Sequence, residues 1–374
     1  MTRRQLLAVA LSAPLWPGVA QAQSSGTPAA SPVLAKRPLQ FPRDLGSHPD
    51  TAIEWWYVTG ELQAQQHRFG FQLTFFRSRV PGTQDMRSAF AAKQLIFAHA
   101  AVTDVAGQRL LHDQRIARSS GDTQVDLAQA STTDTDVTLR DWSLQRHGPS
   151  YQARANGQDF AFNLALLETQ PLLLQGDQGL SSKGPQPEQS SDYYSLPQLA
   201  VTGTLTLAGQ ALPVTGRAWL DHEWSQSIMA PQAVGWDWMG MNLDDGSALT
   251  AFSLRDKTGV TVWAGGSWRA RGAATPVVFA PEQVIFKPER FWKSPASGAI
   301  YPVQWSVEVP SRLAGAASTQ RYTVRAVVDN QELDSSRSTG AIYWEGLSDL
   351  LDAQGQRVGR GYLEMTGYAQ PLKL

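Results

Sequence analysis

HRFGFQLTFF, residues 67–76, decides the class of fold. Phe69, Phe71, Leu73 and Phe75 fall on every second position, with Gly70, Gln72 and Thr74 between them. A helix spaces its apolar residues three and four apart, whereas an extended chain turns alternate side chains to opposite faces. The stretch therefore reads as a strand with one oily face. DFAFNLALLE (159–168) repeats the pattern with Phe160, Phe162, Leu164 and Leu166, and VTGTLTL (201–207) alternates Val201, Leu205 and Leu207 with threonine. Turn signals recur between such runs: VAGQ (105–108), ANGQ (155–158), LAGQ (207–210), DKTG (256–259) and DAQGQ (352–356). The strongest is LDDGS (243–247), set between GWDWMGMNL and ALTAFSLRD. Long antiparallel strands with no helices between them make an all-β protein, a sandwich or a closed barrel.

With 374 residues the chain exceeds what one core usually serves. Its 32 basic and 33 acidic residues nearly cancel and form no long basic run, so neither nucleic acid nor an anionic membrane surface is expected as a partner. The start, MTRRQLLAVALSAPLWPGVAQAQSS, has Arg3 and Arg4, an apolar run from Leu6 to Trp16 and small residues at Ala20-Gln21-Ala22. This reads as an export signal over residues 1–22, of twin-arginine (Tat-like) or ordinary secretory (Sec) type, implying a periplasmic or secreted product. No later segment is apolar over a bilayer's length, so no transmembrane anchor is expected. Cysteine is absent, so stability must come from the core. Residues 23–44 read as a linker, 45–228 as a first all-β unit and 229–374 as a second, with the boundary near SQSIMAPQAVG (225–235). The polar stretch QGDQGLSSKGPQPEQSS (175–191) reads as a long loop over a barrel mouth.

Four segments taken together, HPDTAIEWWYVTGEL, RAWLDHEWSQSIMAPQAVGWDWMGMNLDDGSALTAFSLRD, FWKSPASGAIYPVQWSVEVP and YWEGLSDLLDAQGQRVGRGYLEMTGYA, resemble the AttH-type lipocalin-like family. That family is grouped with the carotenoid 1,2-hydratases and also described as predicted secreted hydrolases. The resemblance runs over residues 45–370 and implies two consecutive lipocalin-like (calycin) antiparallel barrels packed against each other. It further implies an apolar ligand, a lipid or isoprenoid, and at least one hollow barrel to hold it.

Three clusters are candidate sites. In Glu54-Trp55-Trp56-Tyr57, strand geometry puts Trp55 and Tyr57 on one face and Glu54 and Trp56 on the other. One indole is expected to plug a barrel floor, as the resemblance implies, and the other to meet a ligand. Glu54 is open between a raised carboxyl and an arginine pair. In Asp221-His222-Glu223-Trp224, the two acids share a face with Trp219, and His222 shares the other with Trp224. Acids in a dry aromatic setting suit proton transfer, while ion pairing at a junction is the structural alternative. In Trp236-Asp237-Trp238 the indoles share a face that suits aromatic core packing or, alternatively, holding a polyene or a passing cation, and Asp237 points away. His99 lies on the apolar face of LIFAHAAV, as a core or a cavity residue. Arg360 is expected to cap a barrel floor over a tryptophan.

No G-x-S-x-G elbow occurs, nor any H-x-H or H-E-x-x-H set among the six histidines, so neither a serine nucleophile nor a metal is expected, and no cofactor. Two functions remain. The first is an exported binder of an apolar lipid-like or isoprenoid molecule. The second is a hydratase- or isomerase-like enzyme using Asp221, His222 and Glu223. Carotenoid hydratases carry His-Asp followed by Asn and Gly ahead of Trp-x-Trp. Here the Trp-x-Trp is kept, but the order is Asp221-His222-Glu223 and the Asn-Gly is missing, which weighs against carotenoid hydration itself.

Overall fold

The computed structural model describes residues 37–372, apart from 228 and 312–318. The leader expected over residues 1–22 lies outside the described residues, as does the linker up to residue 36. What is described is almost entirely strand, in two antiparallel sheets, with three single-turn 3-10 helices.

The first sheet runs from Arg109–Ser119 through Gln94–Asp104 and His67–Arg79 to Ile53–Ala64. It continues through the two long strands Gln210–Ser227 and Ser190–Leu207, then Phe160–Leu167 and the meander back to Ala128–Ala130. Its two ends touch, because Arg109–Ser119 contacts Ala128–Ala130, so the sheet rolls into a nearly closed barrel. The second sheet begins at Gly235–Leu243 and pairs this strand with Ala248–Arg255 on one side and Arg357–Met365 on the other. Gly246, at φ 85°, makes the tight turn that LDDGS announces. Helix Pro281–Gln283 bridges Thr261–Arg269 and Ile300–Pro310 and helps this sheet to curl. The fold is all-β: two consecutive lipocalin-like antiparallel barrels packed against each other.

Both barrel interiors are packed with side chains. Phe69, Phe71, Leu73 and Phe75 turn into the first, where Trp56, Trp142 and Leu164 meet them. Val303, Trp305, Val307 and Val309 fill the second with Met239, Met241 and Trp344. The hollow barrel expected from the resemblance is therefore corrected: Phe and Trp on every second position occupy the radius of so small a cylinder. The room lies elsewhere. The outer faces of the two barrels form a further core at the junction, with Tyr57, Trp219, Trp238, Phe252, Leu347 and Tyr362.

Close approach at the junction requires a glycine. A Cβ on Gly70 would lie 2.6 Å from the Tyr362 hydroxyl and 3.0 Å from Leu347 Cβ, both in the second barrel. Arg360 caps no tryptophan. It reaches across the junction to Glu61 of the first barrel and holds Asp349 at 2.7 Å, because its strand position faces outward. The polar stretch 175–191 also differs from expectation. Leu180–Ser182 pairs with Ser190–Leu207, and Trp263 of the second barrel donates to the Ser182 carbonyl at 2.9 Å, so this segment bridges the barrels.

Candidate functional site

Strand pairing brings two of the three sequence clusters together. Ile53–Ala64 runs antiparallel to Gln210–Ser227 with Trp55 opposite Glu223, Trp56 opposite His222 and Tyr57 opposite Asp221. Ser190–Leu207 adds Tyr193 opposite Glu223 and Tyr194 opposite His222. Because faces alternate, Trp56, His222, Tyr194 and Trp224 turn into the first barrel, while Trp55, Tyr57, Asp221 and Glu223 turn toward the second. The second barrel answers with Trp236, Trp238 and Phe252. Between these two outer faces lies a cavity of about 280 Å³.

The cavity walls are largely aromatic, and five acids, Glu54, Asp221, Glu223, Glu345 and Glu364, are among its polar groups. Asp221 accepts from Ser195 Oγ at 2.5 Å, from Trp219 Nε1 at 2.6 Å and from the Tyr193 hydroxyl at 2.9 Å. Burial nevertheless pushes its carboxyl up to about 7, against the pull of those donors and with the help of nearby Glu223. Glu223 accepts from Ser191 and pairs with the Lys183 ammonium at 2.9 Å. Lys183 is itself buried, with Nζ 4.6 Å from the Phe252 ring centre and 4.8 Å from that of Tyr193, one ring from each barrel.

Two further acids face this group. Glu345 and Glu364 stand directly opposite each other on the neighbouring strands Ala341–Leu351 and Arg357–Met365, and both line the cavity. Facing side chains in a sheet are about 5 Å apart at Cβ, so ionising both would set like charges against each other in a dry place. Burial and the Glu364 charge raise Glu345 well above the carboxylate range. Glu364 is pushed up to about 8, by burial and then by Asp221 and Glu223, with a Trp236 hydrogen bond opposing. The pair behaves as a dyad that keeps a proton at neutral pH.

Glu54 is placed differently. It borders the cavity, but its carboxylate, fully buried, accepts from Ser47 Oγ (2.9 Å), the His48 amide and Nδ1 (2.8 Å), Arg77 Nε (2.7 Å) and His222 Nε2 (2.9 Å). Burial pushes this carboxyl up, yet the two histidines and the Arg77 guanidinium outweigh it and hold it well below its ordinary range. Burial lowers His222 to about 4, so its ring is neutral at pH 7; its Nδ1 meets the Tyr194 hydroxyl at 2.9 Å and its face stacks on Trp56. His48, Glu54 and His222 offer ligand atoms within 4.8 Å of one another, the spacing of a metal site. Each facing atom is already hydrogen-bonded, however, and Arg77 sits on the same carboxylate, so a cation would meet a positive charge and displaced protons. The arrangement ties the segment around Asp44 and His48 to the barrel.

Of the twelve sequence candidates, Glu54, Trp55, Tyr57, His99, Asp221, Glu223, Trp236 and Trp238 border the cavity. Four do not. Trp56, His222 and Trp224 are turned into the first barrel by strand alternation, with Trp224 stacked on His48 at 3.7 Å. Asp237 is buried between Arg255 Nε (3.0 Å) and the Tyr368 hydroxyl (2.9 Å) on the far side of its strand. His99 reaches Tyr343 Oη at 2.8 Å and Ser338 Oγ at 2.9 Å, and burial lowers its ring to about 3. Lys183, Tyr193, Glu345 and Glu364 went unnoticed in the sequence. A glutamate within each of the apolar strands YWEGL and YLEMTG is the signal that was there to be read.

The profile of the AttH-like family matches residues 32–368. The chain belongs to the AttH-like family. Among solved structures, it is similar to a protein of Nitrosomonas europaea assigned to AttH, at 44% identity and a TM-score of 0.81, covering 91% of this chain and 100% of that one. Kievitone hydratase from Nectria haematococca shares the fold at 15% identity and a TM-score of 0.66, covering 91% of this chain and 94% of the other. The protein CghA shares it at 13% identity and 0.53, covering 90% and 94%. A search of curated protein sequences gives no match. The architecture of this AttH-like chain is thus one that a hydratase also uses.

Proposed function

We propose that this AttH-like protein binds an apolar, unsaturated lipid-like or isoprenoid molecule between its barrels and performs acid–base chemistry on it, as a hydratase or isomerase. The observation that carries this is the Glu345–Glu364 dyad: carboxylic acid held neutral at pH 7 against an indole-lined cavity. The acid of Glu364 gives its proton to an alkene carbon. The π pair forms the new C–H bond, the O–H bond breaks, and Glu364 is left as carboxylate. The cation left on the neighbouring carbon lies against the faces of Trp55, Trp236 and Trp238. Water adds through its oxygen and yields a proton to a carboxylate on the opposite wall, Asp221 or Glu223; that acid then releases the proton to solvent while Glu364 takes one up, which returns the site to its starting state. Loss of a different proton instead gives an isomer. His222, turned into the barrel, takes no part.

Binding without turnover is the second reading, and one feature favours it: both oxygens of Asp221 already have donors. In either case a hydrocarbon surface of a few hundred Å² removed from water, at about 25 cal/mol per Å², suffices for micromolar affinity after association costs. Action outside the cytoplasm, by an export signal over residues 1–22, belongs to the same proposal. Among the described residues no helix is long and apolar enough to cross a membrane. The deciding experiment incubates the protein with geranylacetone in D2O and follows deuterium on carbon by mass spectrometry. Incorporation by the wild type and none by Glu364→Gln supports catalysis. Binding with no incorporation by either leaves the carrier reading.

A further inference from the structure

The cavity holds two polar groups that the protein itself does not satisfy. The Tyr57 hydroxyl, on a residue 6% exposed, makes no hydrogen bond. Neither does Oε1 of Glu345, on a residue 4% exposed. The two face each other from opposite walls, one from each barrel, and interact weakly with one another, Glu345 also with the Tyr343 hydroxyl, but short of full hydrogen-bond geometry. Other polar groups in the same cavity are spoken for: Asp221 has three donors, Glu223 has Lys183 and Ser191, and His99 has Tyr343 and Ser338. The vacancy is thus local, at one place along an otherwise aromatic wall.

A buried donor or acceptor without a partner is costly, and a hydrocarbon filling this cavity would seal both groups in that state. An oxygen on the ligand would relieve it. A carbonyl oxygen accepts from the Tyr57 hydroxyl and, when the dyad carries its proton, from a Glu345 or Glu364 acid as well. A ligand hydroxyl could donate to Glu345 Oε1 and accept from Tyr57. We infer that the ligand is an oxygenated apolar molecule, with a carbonyl or hydroxyl seated between Tyr57 and Glu345 and its hydrocarbon part against Trp55, Trp236, Trp238 and Phe252.

This inference rests on the proposed ligand site but requires no turnover. It also bears on mechanism, since a carbonyl conjugated with the alkene would place the dyad's proton donor next to the group it polarises. Specificity of this kind is strong, because a site built to hydrogen-bond an oxygen rejects the analogue that lacks it.

The test is equilibrium binding by calorimetry with two probes, geranylacetone and the hydrocarbon in which its carbonyl is a methylene. The wild type should bind the ketone at least tenfold more tightly. Tyr57→Phe, which deletes one unpartnered oxygen and should fold normally, should weaken the ketone about fivefold, the worth of one neutral hydrogen bond, and leave the hydrocarbon unchanged. Equal affinity of the wild type for both probes would overturn the inference, and so would an equal effect of Tyr57→Phe on both. Failure of the catalytic reading looks different: ketone preference would persist while no deuterium reached carbon. If neither probe binds at all, the ligand site itself is wrong and the inference falls with it.

Discussion

Replacing Glu364 by glutamine tests whether the dyad is held neutral. In the fold its acid is raised to about 8 from an ordinary 4.5. A group raised in this way keeps its proton in the native state after the unfolded chain has lost it. Stability is then complete below the unfolded value and declines as pH climbs through the folded one. One pKa unit corresponds to about 1.36 kcal/mol, so between pH 4.5 and 8 this group lowers stability by (8 − 4.5) × 1.36, or about 5 kcal/mol. Glu364 is partly accessible through the cavity, and solvent screening makes that figure a ceiling. Glutamine resembles the neutral acid and cannot ionise. Urea denaturation of both proteins should therefore give matching stabilities at about pH 4.5, and a variant more stable by several kcal/mol at about pH 8.5. A stability difference that stays constant with pH would refute the reasoning, since it would mean that Glu364 titrates alike in the folded and unfolded chains.

The remaining predictions concern what surrounds the cavity. Trp56→Ala empties the first barrel's interior and should cost about 3–5 kcal/mol by urea denaturation. Trp236→Ala, facing the cavity, should cost clearly less and instead weaken geranylacetone binding; equal stability losses would contradict the assigned faces. Arg77→Ala leaves the buried Glu54 carboxylate without its guanidinium and should cost about 3–5 kcal/mol, with partial recovery in the double variant that adds Glu54→Gln. His222 is depressed to about 4 from 6.5, so the unfolded chain takes up the proton first. Its contribution is present above pH 6.5 and lost toward pH 4, by (6.5 − 4) × 1.36, about 3 kcal/mol. His222→Gln should flatten this acid limb in denaturation profiles, and an unchanged slope would count against the buried neutral ring.

Much of the architecture could be read from alternation. Phe69, Phe71, Leu73 and Phe75 share the interior they were expected to share, and Gly246 turns the hairpin that LDDGS marks. The faces within each cluster were also legible: Trp55 with Tyr57, Asp221 with Glu223, Trp236 with Trp238. Alternation does not say which face is inside a barrel and which meets a second barrel, because both are apolar here. That ambiguity places the expected cavity inside a barrel, whereas the cavity lies between the two. Glu345 and Glu364 sit nineteen positions apart, and only the pairing of their strands sets them opposite each other. Similarly, Lys183 belongs to a polar stretch that reads as loop, and its burial depends on Glu223, Tyr193 and Phe252 converging from three other segments. His48 precedes the first strand and meets His222 through their shared Glu54 and a ring contact at 5.7 Å. Such contacts are set by register and barrel packing, which local periodicity does not encode.

Infrared difference spectroscopy of the wild type, Glu345→Gln and Glu364→Gln reads the protonation of the dyad itself. The account requires a carbonyl stretch from protonated carboxylic acid at neutral pH, fading near pH 8 and altered in both variants. A spectrum at neutral pH with carboxylate bands alone, the same in all three proteins, would contradict it.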